Sequence, residues 1–265
     1  MYQRNATLKK LRVVNLGKKA DEKMIDREKA LKTFNTYVSK YNPEDEKIKL
    51  KIEHIQRVAK NANDIAENLK LSKEDIDLAW LIGLLHDIGR FEQYKKYQTY
   101  SDIHSIDHGD LGALILKENF NSIENYDLIL FTTKNHNKLT IEKTGDHEKL
   151  LFTKIVRDAD KLDIMKEQGL TITDNNPKIK SEIIENLFSN QPVQDKSIKT
   201  DVDYIFRLLG FIYDINFKYT YQYILDNHII EDKINLLECY IQDNRLEELK
   251  QHLIEYCKKK VTEKR

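Results

Sequence analysis

Residues 76–85 read Ile-Asp-Leu-Ala-Trp-Leu-Ile-Gly-Leu-Leu, apolar at nearly every position rather than along one stripe. A helix with that pattern must be covered on all sides by other helices. Ser72, with Asp75 three positions on, makes a capping-box start, so the helix is expected to open near Ser72 and to form the centre of the core. Gly89 is expected as a left-handed stop just past its last turn, which leaves His86, Asp87 and Arg90 at the mouth of the buried helix. An imidazole and a carboxylate there can hold a divalent cation, and a guanidinium just beyond can meet an anion.

The rest of the chain supplies the surrounding helices. Only 8 Gly and 3 Pro occur in 265 residues, too little turn punctuation for many short strands, so an all-α fold is expected. Ile48, Ile52, Ile55, Ala59, Ala62, Ala66 and Leu69 recur at three- and four-residue spacing and mark one long helix, with His54 near its stripe. Further helices are expected over 27–40, 108–119, 125–134, 148–166, 180–188, 203–214 and 217–226, with two more reaching residue 260. Residues 91–106, with Tyr94, Tyr97 and Tyr100, show no clear period and read as a loop over the site, with Lys95 or Lys96 able to wall a pocket. Residues 1–27 are lysine-rich and weakly periodic, an arm held loosely. This divides the chain into an N-terminal helical arm (1–46), a core (47–168) and C-terminal helices packed on that core (169–265).

Lys plus Arg and Asp plus Glu balance at 44 each, so no global field draws the protein to nucleic acid or to an anionic membrane. The first ten residues hold no apolar signal core, and the longest apolar run falls well short of the ~20 residues that span a bilayer. Cys239 and Cys257 stand outside any metal-type spacing and read as two ordinary thiols. The expectation is a cytoplasmic protein with a small-molecule partner, no nucleic acid and no membrane.

The His86-Asp87 pair carries little weight alone, but its company is specific. His54 lies upstream, and His108, His136 and Asp160 follow, the last within Asp158-Ala159-Asp160-Lys161-Leu162-Asp163. This order of a His, a His-Asp pair, two further His and a distal Asp resembles the HD-domain superfamily of metal-dependent phosphohydrolases. The resemblance covers residues 47–165 and implies an HD-type helical bundle with added N- and C-terminal helices.

The resemblance further implies that His54, His86, Asp87 and Asp160 hold a first divalent ion, while Asp87 bridges to a second held by His108 and His136. Within the superfamily the distal ligand is the Asp before Lys-Leu-Asp, which selects Asp160 and leaves Asp158 as a supporting or capping group. His104 competes with His108, four residues on, and the Gly-Asp-Leu-Gly-Ala that follows favours His108. His104 is then a candidate proton donor or substrate contact, with Gln93 and Arg90 as further substrate contacts. Ligands without a thiolate suit manganese, iron, cobalt, nickel or magnesium, and zinc as well. Two such ions can activate a water for in-line attack on a phosphoester, with Asp87 and Arg90 as the catalytic residues. The signatures of the cyclic-dinucleotide phosphodiesterases, the alarmone hydrolases and the deoxynucleoside triphosphatases are all missing after Asp87. The implied substrate is therefore a nucleotide or another small phosphoester. A di-iron oxygenase and a non-catalytic binding scaffold are the alternatives.

Overall fold

A computed structural model describes residues 25–120, 123–167 and 169–263; of the arm expected over residues 1–27, residues 1–24 lie outside them. Side-chain caps start most of the long helices. Asp26 caps α1 (Arg27–Val38), Asp45 caps α2 (Glu46–Asn68) and Ser72 caps α3 (Lys73–Leu85), each accepting from backbone N–H groups of the first turn. After α4 (Gly89–Tyr97), Asp107 caps α5 (His108–Asn119); after α6 (Tyr126–Asn135), Asp146 caps α7 (His147–Met165). The C-terminal half adds α8 (Ser181–Phe188), α9 (Asp201–Gly210), α10 (Lys218–Asp226), α11 (Ile229–Glu238) and α12 (Arg245–Thr262). A reciprocal capping box is found at Thr200 and Asp203, whereas at Ser72 the bond runs one way, from Asp75 N. The fold is all-α, with no strand among the described residues. Nor is any described helix long and apolar enough to cross a membrane.

The apolar run lies where its pattern requires. Leu78, Ala79, Leu81, Ile82, Leu84 and Leu85 of α3 are all buried. Gly83 lets α2 come close, since a Cβ there would stand 2.8 Å from Ala59 Cα.

Two expectations around this helix are corrected. Gly89 is not a left-handed stop; it opens α4, and its hydrogen serves contact instead, because a Cβ would lie 2.3 Å from the His108 carbonyl oxygen and 2.7 Å from Gly112 N. Residues 91–97 are helix rather than loop. Their apolar stripe is only Phe91 and Tyr94, too short to show a period, and Gln98 (φ 54°) ends the helix in the left-handed region. Lys95 and Lys96 project outward, over the Tyr41 ring and toward Glu92, so they wall no pocket.

Helices α1 to α6 share one core with Phe152, Ile155, Val156 and Ala159 of α7. A second core begins with Leu162 and Met165 of the same helix and takes in α8 to α12. Helix α7 is thus the common wall, and its polar side chains fasten the halves. Buried Asp158 accepts from the N–H groups of Asn216 and Phe217 and from Thr220 Oγ1, which caps the start of α10. Buried Arg157 donates to the carbonyls of Asn135, His136 and Lys138 and pairs with Asp214 at 2.6 Å.

Candidate metal centre

Five helices bring their ends or inner faces to one point. His54 comes from the buried face of α2 and Asp160 from α7. His86 follows the last residue of α3, Asp87 stands in the turn beyond, His108 is the first residue of α5, and His136 follows the last residue of α6. Residues at helix ends can leave the helix axis while their backbones stay anchored, so three rings and one carboxylate converge without strain in any helix.

Asp87 is the centre of this cluster. Its Oδ2 lies 3.5 Å from His54 Nε2 and 3.7 Å from His86 Nε2, and its Oδ1 lies 3.2 Å from His108 Nε2 and 3.5 Å from His136 Nε2. Asp160 Oδ1 closes the first side, 3.2 Å from His54 Nε2 and 3.7 Å from His86 Nε2. Each oxygen of one carboxylate therefore faces a different pair of imidazoles.

The far side of every ring is tied down. Nδ1 of His86 donates to the Gly83 carbonyl and Nδ1 of His136 to the Thr133 carbonyl, both at 2.7 Å. Nδ1 of His54 meets Asp163 Oδ2 at 2.7 Å, and Nδ1 of His108 meets Asp102 Oδ2 at 2.6 Å. These partners accept only, so in each neutral ring Nδ1 carries the hydrogen and Nε2 turns a lone pair toward Asp87. His54 Nε2, His86 Nε2 and Asp87 Oδ1 are buried without a hydrogen-bond partner. Buried acceptors aimed at one another cost free energy unless a cation sits among them. The donor set fits a divalent ion, and three groups of ligand atoms, His54/His86/Asp87, His86/His136/Asp160 and Asp87/His108/His136, each gather within 4.8 Å.

Burial works against the charge on Asp87, yet Lys51, His86, Arg90 and His108 hold it well below the usual carboxylate range. Burial likewise opposes Asp160, and His54 and His86 hold it low. Burial and Lys51 push His54 down, but Asp160, Asp163 and Asp87 carry it up to about 10. Burial and Arg90 push His108 down to about 4 against the pull of Asp102 and Asp87. The two halves of the cluster differ in charge preference.

Arg90 is held rather than free. One terminal nitrogen donates to Gln93 Oε1 (2.9 Å), Asp102 Oδ1 (2.9 Å) and the Tyr100 carbonyl, while Nε lies 3.5 Å from Asp87 Oδ1 with no hydrogen-bond partner. Gln93 is wholly buried, and its Nε2 donates to Asp102 Oδ1, Ser105 Oγ and the Ile106 carbonyl. With every amide atom engaged within the protein, Gln93 is a strut and not a substrate contact. His104 is exposed on a short 3-10 turn (Asp102–His104), outside the three ligand groups.

Sequence reasoning passed over Lys51, Asp102 and Asp163. Asp163 had a signal, since it stands one helical turn beyond Asp160 on α7. Asp102 had none, because the segment that carries it reads as an aperiodic loop.

The family model of the HD domain matches residues 52–165, a span that includes His54, Asp160 and every ligand candidate between them. No curated protein and no solved structure matches the chain. Residues 52–165 are therefore recognised as an HD domain, and the His/Asp cluster they carry is consistent with an HD-type metal site.

Proposed function

We propose that the protein is a metal-dependent phosphohydrolase that cleaves a phosphoester of a nucleotide or another small phosphorylated metabolite. The single observation that carries this reading is the division of Asp87, with Oδ2 toward His54 and His86 and Oδ1 toward His108 and His136. In this reading His54, His86, Asp87 and Asp160 hold one divalent ion, and Asp87, His108 and His136 hold a second. Such ions supply Lewis acidity toward a phosphoryl oxygen and lower the pKa of water.

The chain's own residues do the rest. Asp163 and Asp102 fix the rings of His54 and His108 from behind and keep Nε2 free of a proton in the neutral state. Asp102 and Gln93 lock one end of Arg90 and leave Nε toward the centre, where a guanidinium orients a phosphoryl group and stabilises its developing charge. Gln93 thus acts through Arg90 and not on the substrate.

The test is phosphate release by metal-stripped protein reloaded with manganese, nickel, cobalt, iron or magnesium, against nucleoside mono-, di- and triphosphates and sugar phosphates. Release from one class, abolished in Asp87→Asn with helicity intact by circular dichroism, is the expected result. Turnover that survives Asp87→Asn overturns it. A ligand set of imidazoles and carboxylates also suits a pair of irons, so a di-iron oxygenase is the second reading. Iron-specific oxygen consumption, with silence in manganese, would favour it.

A further inference from the structure

Lys51 stands three residues before His54 on α2, so both side chains leave the same face of the helix. Its Nζ lies 3.0 Å from Asp87 Oδ2, the oxygen that also faces His54 and His86. An ammonium and a divalent ion on one carboxylate oxygen repel each other, so a metal ion bound there displaces Lys51 or turns it outward. A lysine can respond in this way, because its charge sits on a flexible four-carbon stem.

The surroundings limit where that ammonium goes. The Tyr100 ring lies 5.3 Å from Lys51 Nζ and 6.0 Å from the Arg90 guanidinium carbon. Tyr100 is itself fixed, since its hydroxyl donates to the Lys47 carbonyl at 3.0 Å and its ring packs on Tyr94. One anchored ring therefore neighbours both cations, Lys51 beside Oδ2 of Asp87 and Arg90 beside Oδ1. The Lys51 and Arg90 side chains are 16% and 17% exposed, so each keeps partial access to solvent.

We propose that Lys51 is a substrate-binding residue whose ammonium, released from Asp87 when a metal ion occupies that oxygen, takes an oxygen of the substrate's phosphoryl group, with Arg90 holding the group from the other side. This rests on the phosphohydrolase reading. It predicts that Lys51 contributes to binding of the phosphate itself and not to holding the metal.

The experiment uses the full chain loaded with manganese, with inorganic phosphate as the probe and calorimetry as the readout, in wild type, Lys51→Met and Lys51→Arg. Manganese affinity is measured separately without phosphate. Lys51→Met, which keeps the stem and removes the charge, should bind manganese at least as tightly as wild type and phosphate about tenfold more weakly, as the loss of a charged hydrogen bond requires. Lys51→Arg should retain most of the phosphate affinity, which also shows that the position tolerates substitution. Unchanged phosphate affinity in Lys51→Met, or a loss confined to manganese, overturns the assignment and leaves Lys51 as a support for Asp87. Failure of manganese-loaded wild type to bind phosphate would instead overturn the phosphohydrolase reading and this assignment with it.

Discussion

The Nε2 atoms of His108 and His136 face each other at 3.0 Å, although Nδ1 of each ring is already committed, to Asp102 and to the Thr133 carbonyl. In the neutral rings two lone pairs meet, an arrangement that a cation between them and Asp87 relieves. Manganese should therefore stabilise the fold. At a hundredfold excess over its dissociation constant a ligand adds about 2.7 kcal/mol, which for a chain of this size raises Tm by roughly 5–10 °C. His108→Ala should lose a large part of that shift in thermal melts. A shift as large as that of wild type would place the ion elsewhere.

Asp163 holds His54 Nδ1 at 2.7 Å and is itself gripped by Arg57 Nε at 2.7 Å. Asp163→Asn keeps the shape but removes the charge that steers the ring. Manganese affinity, measured by calorimetry, should fall about 10- to 100-fold, the usual effect of losing the group behind a ligating imidazole. Wild-type affinity in this variant would show that α2 alone orients His54.

Gly89 meets the α5 backbone at both His108 and Gly112, with no flexible side chain to give way. Gly89→Ala should destabilise the fold by about 3 kcal/mol in denaturant titrations, by forcing α4 from α5. Gly145, where an added Cβ meets nothing within 4 Å, is the control. Gly145→Ala should be neutral or slightly stabilising. Equal effects at the two positions would contradict the close approach.

Buried Asp77 of α3 accepts from Arg27 Nε at 2.6 Å and from Lys73 Nζ at 2.9 Å, which fastens α1 to the central helix. Burial opposes its charge, but Lys73 and Arg27 win and its pKa is lowered. A carboxylate with a lowered folded-state pKa contributes stability that is present above its unfolded value, about 3.9, and is lost as pH falls through the folded value. Asp77→Asn should therefore cost about 1–2 kcal/mol near neutral pH, with the gap to wild type closing below about pH 4. A gap independent of pH would mean that packing, and not charge, explains the loss.

The helices that were legible before the structure are those with long periods or local caps. Helix α3 shows its unbroken apolar run and Ser72, and α2 shows seven apolar positions on one stripe. Helix α4 was not legible, because a nine-residue helix with two buried aromatics and an exposed lysine pair offers no period to read. Gly89 departs from its local sequence signal for a related reason. A glycine after a helix signals a stop locally, and only the neighbouring α5 backbone shows that it is there for space.

By itself the sequence determined that this chain is helical, that one helix lies at its centre, and which imidazoles and carboxylates occur in an order that can gather around a metal. These follow from short-range periodicity and residue chemistry. The tertiary structure alone decided which oxygen of Asp87 faces which rings, and it placed Asp163, 109 residues from His54, and Asp102, on an aperiodic segment, behind the histidines they orient. It also set Lys51 on the same oxygen as the first histidine pair. Such relations depend on how helix ends meet in space, and packing between distant segments leaves no mark on local pattern.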